Sequence, residues 1–508
     1  MHEQLQLLPG YLSAHLGLTL AAILVGVLVS VPLGVLVAGS RRLEPFVLGT
    51  ASVIQTVPSL ALLAFMVPAL AALGLQSIGY LPALIGLCLY SVLPILRNTL
   101  VGLASIDPAI IEAAQSVGMT PREQLFRVEL PLALPMIIAG IRTATVWTVG
   151  TATLSTPVGA PSLGNYIFSG LQTRNYTAVL VGCVAAALLA LALDGLIRVV
   201  ELGLKLRRRA FWLGALLVFA VLAAWPLGRL VNAVAGHDEK PVRVGAKNFT
   251  EQYILSRILS GRISAMTGQP TELIESLGST VVFDALRTEQ IDVYVDYTGT
   301  LWANILGRTD RPPNRTDVLE QTRRGLHERF GVELLVALGF ENAYALAMND
   351  NQAGQLNVRR ISDLVPYAPK LRLGSDYEFL ARPEWKALQQ AYGLAFREQR
   401  SMDPALMYQA LRSGGVDLIS AFSTDGRIAP YHLRVLEDDR GAIPPYDAVI
   451  LVNSRFAREQ PAAVNALLSL ARSIDATKMR ELNAEVDQNG RSPAEAAAGF
   501  LAARYPPR

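Results

Sequence analysis

Six runs of mostly apolar residues, 12–39, 46–73, 78–102, 131–153, 176–203 and 211–232, fill the first half of this 508-residue chain. Each can cross a hydrocarbon layer that needs about 20 helical residues. No such run follows residue 240. The chain therefore predicts a membrane-embedded first half and a polar second half, and more than one domain. The first run lacks a basic leader segment and is followed by further spans, so it reads as a retained span rather than a cleaved signal. Between Met1 and Gly236 there are 13 Lys/Arg and 8 Asp/Glu, which leaves 32 and 34 for the remainder. A near-neutral second half excludes an electrostatic footprint for nucleic acid. The two cysteines, Cys88 and Cys183, lie in apolar runs and give neither a disulfide framework nor a zinc spacing.

Lys and Arg set the expected orientation. Arg41 and Arg42, then Arg97, Arg122 and Arg127, then Lys205 with Arg207, Arg208 and Arg209, fall in loops on one side. Arg174 is the exception on the other side. The 103–130 loop is thus expected inside, and everything after about 238 outside. Arg142 and Asp194 lie within spans. Charge in hydrocarbon is costly, so each is expected to face protein or water, as a structural pair or a snorkelling group rather than as part of a pathway.

The longest inside loop reads "DPAIIEAAQSVGMTPREQLFRVELPLALP". Asp107-Pro108 starts a helix, Gly118 stops it, and Thr120-Pro121 starts another. The pattern Glu112-Ala113-Ala114, then Gly118, then "LPLALP" resembles the coupling loop of ABC importer permeases. That resemblance implies that 107–130 docks onto a cytoplasmic ATPase, with Glu112, Ala113, Ala114 and Gly118 at the contact. Small residues allow close approach, and Glu112 offers a fixed charge. The chain has no G-x-x-x-x-G-K-[ST]. An ATPase partner would be a separate polypeptide, and no cofactor is expected on this one.

In the polar half, 242–249, 371–376, 416–422 and 448–453 read as strands, and 251–267, 279–289, 384–392 and 462–474 as helices. That alternation predicts α/β architecture with parallel sheets, long enough for two lobes. No G-x-S-x-G, HExxH or Cys/His pair is present, so an enzyme is disfavoured.

"GAKNFTEQ" (245–252), "GST" (278–280), "YVDYTGT" (294–300), "ENAYALA" (341–347), "AFSTDGRI" (421–428) and "LEDDRGAIPPYDAV" (436–449) resemble the binding proteins of osmoprotectant importers. "WTVGTATLSTPVGAPSLGNYIFSGL" (147–171) resembles their permeases. The resemblance implies a fusion: an all-α permease domain (1–210), a sixth span and linker (211–239), and an α/β bilobed periplasmic-binding-protein-like domain of type II (240–508). Its second lobe is expected at about 346–440. It further implies a multi-pass protein of a bacterial inner membrane, in contact with lipid, pairing as a homodimer. The ligand would be a small quaternary amine such as glycine betaine, carnitine or choline, or else ergothioneine.

A trimethylammonium group donates no hydrogen bond and suits aromatic faces. By resemblance Tyr297, Tyr344, Phe422 and Tyr446 form a cage, with Phe422 where the family usually has tyrosine. Lys247, Thr300 and Arg382 would hold a carboxylate, and Thr280 would tune the choice of headgroup. Asp292 and Asp296 read as capping or bridging groups. A ligand-gated channel or sensory receptor is the rival reading, and a coupling loop disfavours it.

Overall fold

The computed structural model describes residues 2–173, 175–206, 213–214, 217–222, 224, 241–308, 315–428 and 430–506. The expected sixth span and linker, 211–239, lie largely outside them, as do Arg174 and Arg207 to Arg209. The chain forms two compact units, 1–168 with 177–238, and 169–176 with 239–508.

The first unit is helical, its apolar runs forming the longest helices: α1 (His2–Val37), α2 (Leu43–Thr56), α3 (Ser59–Ala72), α4 (Tyr80–Ala104), the short α5 (Pro108–Ser116) and α6 (Pro121–Gln124), α7 (Leu130–Ala152), α8 (Gly164–Gln172), whose end belongs to the second unit, and α9 (Tyr176–Lys205). Small residues let α1, α4 and α7 approach closely, as expected where lipid supplies no hydrophobic drive between helices. A Cβ on Gly34 would stand 2.8 Å from Thr99, and one on Gly140 would stand 2.6 Å from Asn98.

The run expected as one span at 46–73 is a helix pair bent by 97°. Pro58 biases Val57 away from the α region, and Val57 is extended. The carbonyl freed there accepts a hydrogen bond from the Tyr90 hydroxyl. Arg142 and Asp194 pair as expected, with Nε 2.5 Å from Oδ1.

The inside loop follows its capping chemistry. The Asp107 carboxylate accepts from Ala109 N at 2.9 Å, and Thr120 and Glu123 form a capping box that opens α6. Gly118 has φ +83° and ends α5 in the left-handed conformation that glycine adopts without strain. Glu112, Ala113 and Gly118 are exposed and Ala114 is buried.

Among the described residues the second unit holds ten strands: β1 (Val242–Lys247), β2 (Thr271–Leu277), β3 (Val293–Tyr297), β4 (Val332–Glu341), β5 (Tyr344–Asn349), β6 (Arg372–Ser375), β7 (Glu398–Ser401), β8 (Leu418–Phe422), β9 (Leu433–Val435) and β10 (Asp447–Asn453). They form two sheets, ordered β2-β1-β3-β10-β4 and β7-β6-β8-β5-β9. The chain leaves the first lobe after Glu341 and returns for β10. The expectation of purely parallel sheets needs correction. β10 runs antiparallel to β3 and β4, and β5 antiparallel to β8 and β9. Both strands are the first to enter their sheet after a crossing between lobes, so no βαβ connection fixes their direction.

Candidate ligand-binding site

Topology brings the site together. Parallel strands of an α/β sheet present ligands with their carboxyl ends. Lys247 ends β1, Tyr297 ends β3, Phe422 ends β8, and Asp376 follows β6 directly. The antiparallel strands bring their amino ends to the same edges. Tyr344 opens β5 in register with Phe422, and Tyr446 directly precedes β10, whose Ala448 pairs with Tyr297. One lobe thus supplies Tyr344 and Phe422 as register partners, and the other supplies Tyr297 with Tyr446 two residues from its partner Ala448.

Between the lobes lies a cavity of about 100 Å³. Tyr297, Tyr344, Phe422, Tyr446, Lys247, Thr300 and Arg382 all line it. Thr280 does not. It is exposed on the outward side of its helix start, and its neighbour Ser279 takes the place in the wall. Phe249, absent from the sequence expectation, adds a fifth ring. It stacks parallel to Phe422 with centroids 6.0 Å apart and stands 6.3 Å from Tyr297. Tyr344 lies 5.0 Å from Phe422 and edge-on to Tyr446 at 6.2 Å. The five rings form a continuous series from one lobe to the other. Burial holds the hydroxyls of Tyr297, Tyr344 and Tyr446 well above their ordinary pKa, so these rings stay neutral.

The segment "YVDYTGT" supports this wall. A Cβ on Gly299 would stand 2.3 Å from the Tyr446 ring, so only glycine admits that ring. The Thr298 hydroxyl donates to Pro445 O and accepts from Asp447 N, each at 2.9 Å, tying the segment to the strand that follows Tyr446. The Tyr297 hydroxyl donates to Glu251 at 2.6 Å. Asn342, Thr424 and Asn483 also donate to Glu251, which has no cationic partner among the described residues. Burial pushes the Glu251 carboxyl up, against the hydrogen bonds that favour its charge.

Lys247, expected by resemblance to hold a ligand carboxylate, lines the cavity together with a counter-charge from its own lobe. Its ammonium pairs with Asp296, and both are buried. Asp296 also accepts from Tyr294 at 2.6 Å and from Tyr297 N at 2.8 Å. Asp296 therefore neutralises Lys247, while Asp292 pairs with Arg243 away from the cavity. A ligand carboxylate at Lys247 would have to share it.

Arg382 is the less committed donor. It is 8% exposed, and Nη2 binds Glu378 and stands 3.4 Å from the Ser279 hydroxyl. Its Nε and Nη1 have no hydrogen-bond partner among the described residues, and Nη1 stands 3.9 Å from the buried Glu384 carboxylate. The guanidinium lies 5.3 Å from the Tyr344 ring centre. Asp376 Oδ1 accepts from the backbone of Glu378 and Phe379, while its buried Oδ2 has no hydrogen-bond partner among the described residues. Burial raises the Asp376 carboxyl. Buried polar atoms are normally satisfied. Unmatched donors and acceptors on one aromatic cavity therefore suit a small ligand with an apolar cationic head and polar groups elsewhere.

Residues 240–503 match the family described as "Substrate binding domain of ABC-type glycine betaine transport system". Residues 30–206 match "Binding-protein-dependent transport system inner membrane component". The chain is similar to the ergothioneine transport permease/ergothioneine binding protein EgtU of Helicobacter pylori (strain G27). It is 32% identical over 485 residues, covering 92% of this chain and 85% of that protein. It is similar to the choline transport system permease protein OpuBB of Bacillus subtilis (strain 168), 43% identical over 187 residues, 37% of this chain and 83% of that one. It is also similar to the carnitine transport binding protein OpuCC of Listeria monocytogenes, 31% identical over 273 residues, 53% of this chain and 88% of that one. The chain belongs to the ABC importer family of these proteins, with an inner-membrane permease and a glycine-betaine-type substrate-binding domain on one polypeptide.

Proposed function

We propose that the chain captures a small quaternary-ammonium zwitterion in its second unit and passes it through a pathway formed by two copies of its first. The observation that carries this reading is the cavity itself. Six aromatic side chains line it, the exposed Tyr377 among them, and Arg382 and Asp376 bring to it polar atoms without a hydrogen bond among the described residues. Cation–π attraction would hold the head, and Arg382 would take the carboxylate, which a planar guanidinium can grip with two donors. Ser279 of the first lobe and Glu378 of the second stand 3.3 Å apart, a contact suited to closure over ligand.

Transport would be driven by a separate ATPase docked on the 107–130 loop. Glu112, Ala113 and Gly118 are exposed there, with Ile110, Val117 and Phe126 as apolar contacts. This loop favours an importer over a channel or sensory receptor, which has no use for an ATPase dock.

Within the ligand class, Asp376 favours a molecule that also donates an N–H or O–H. Glycine betaine has no such donor. Carnitine has a hydroxyl, and ergothioneine has N–H groups on its thione-bearing ring. The similarity to EgtU over both halves of the chain supports ergothioneine as the second reading. Calorimetry on the purified chain with glycine betaine, carnitine, choline and ergothioneine tests this. Saturable binding of at least one is expected. Binding of none would refute the ligand class.

A further inference from the structure

The first unit has its own cavity, of about 500 Å³, at the break between α2 and α3. Gln55 and Ser59 flank the break, and Tyr90, Trp147, Thr148 and Thr151 face it from α4 and α7. Irregular backbone at membrane depth is tolerated only where protein buries it or where it lines a wet cavity. Here Tyr90 satisfies the Val57 carbonyl, while the buried amide nitrogen of Gln55 has no hydrogen-bond partner among the described residues. Trp147 is 54% exposed, an unusual position for the largest aromatic side chain. No residue lining this cavity carries a formal charge.

We infer that this cavity is a transit site for the trimethylammonium head, with Trp147 as its main contact and Tyr90 beside it. Trp is the best cation–π partner among the side chains. A fixed charge would hold one end of a zwitterion and oppose the other. A neutral lining of aromatic, amide and hydroxyl groups lets both ends pass. The space is several times that of the receptor cavity, which suits loose and brief occupancy. The inference rests on the quaternary-ammonium reading of the receptor.

The test uses the full chain with its ATPase in proteoliposomes, and radiolabelled glycine betaine and ergothioneine as probes. Trp147→Leu keeps an apolar side chain without a π face, and Trp147→Phe restores one. Trp147→Leu is expected to cut the maximal uptake rate about fivefold or more, leave the half-saturating concentration within about twofold, and be largely rescued in Trp147→Phe. Equal rates for the Leu and Phe variants, whether both high or both low, would overturn the inference and leave the receptor reading standing. Failure of glycine betaine, carnitine, choline and ergothioneine alike to bind the wild-type chain would remove the receptor reading, and this inference with it.

Discussion

The Tyr297 hydroxyl donates to the buried Glu251 carboxylate at 2.6 Å, so one side chain serves both the cavity wall and the polar network behind it. The two roles separate by substitution. Tyr297→Phe keeps the ring but removes one of four donors to Glu251. It should lower stability by about 1–3 kcal/mol, the cost of an unmet buried group, with little change in affinity. Tyr297→Ala should also weaken ligand binding about tenfold or more, because a desolvated cation–π contact is worth about 2 kcal/mol and tenfold corresponds to about 1.4 kcal/mol. Thermal unfolding and calorimetry on the same samples distinguish the two effects.

Gly299→Ala probes the approach of Tyr446 to the backbone. The new methyl would stand 2.3 Å from the ring, so the ring must move. Affinity should fall by about tenfold, the scale of one lost ring contact. Unchanged affinity would show that Tyr446 is not part of the binding wall.

The resemblance of short motifs named seven residues that line the candidate cavity, and the alternation of the sequence placed several of the strands that end at them. The strands ending at Lys247 and Phe422 and the helices at 250–267 and 383–392 follow from the alternation of apolar and polar residues. Pairings between distant segments were not legible. Nothing near Lys247 announces that Asp296 will neutralise it, and nothing near Tyr344 fixes the direction of β5. Phe249 stands in a quoted motif, directly after a strand, yet an aromatic there reads equally well as core. Ser279 and Thr280 differ only in which side of one helix start they occupy. The bend at Pro58 had its signal, the proline itself, but hydropathy alone runs straight through it.

Arg382→Gln should separate ligands by charge. Loss of a charge-assisted hydrogen bond costs about 1.5–3 kcal/mol, so glycine betaine and ergothioneine should weaken by that amount. Choline, which has no carboxylate, should change far less. Equal losses, measured by calorimetry, would place the carboxylate elsewhere.

Gly118→Asp tests the loop. Nothing lies within 4 Å of a Cβ there, so the effect would come from φ +83° and the added charge. Ligand binding should be retained and ATP-driven uptake lost. Normal uptake would move the ATPase contact away from this turn.

The central claim is that the receptor cavity recognises positive charge through aromatic faces. The most direct measurement compares glycine betaine with tert-butylacetate, which replaces the charged nitrogen by carbon at the same shape. Calorimetry on the purified chain should give glycine betaine an advantage of about tenfold or more, the scale of the summed cation–π contacts. Tyr344→Ala should shrink that advantage. Equal affinity for the two, or an advantage indifferent to Tyr344, would contradict the account.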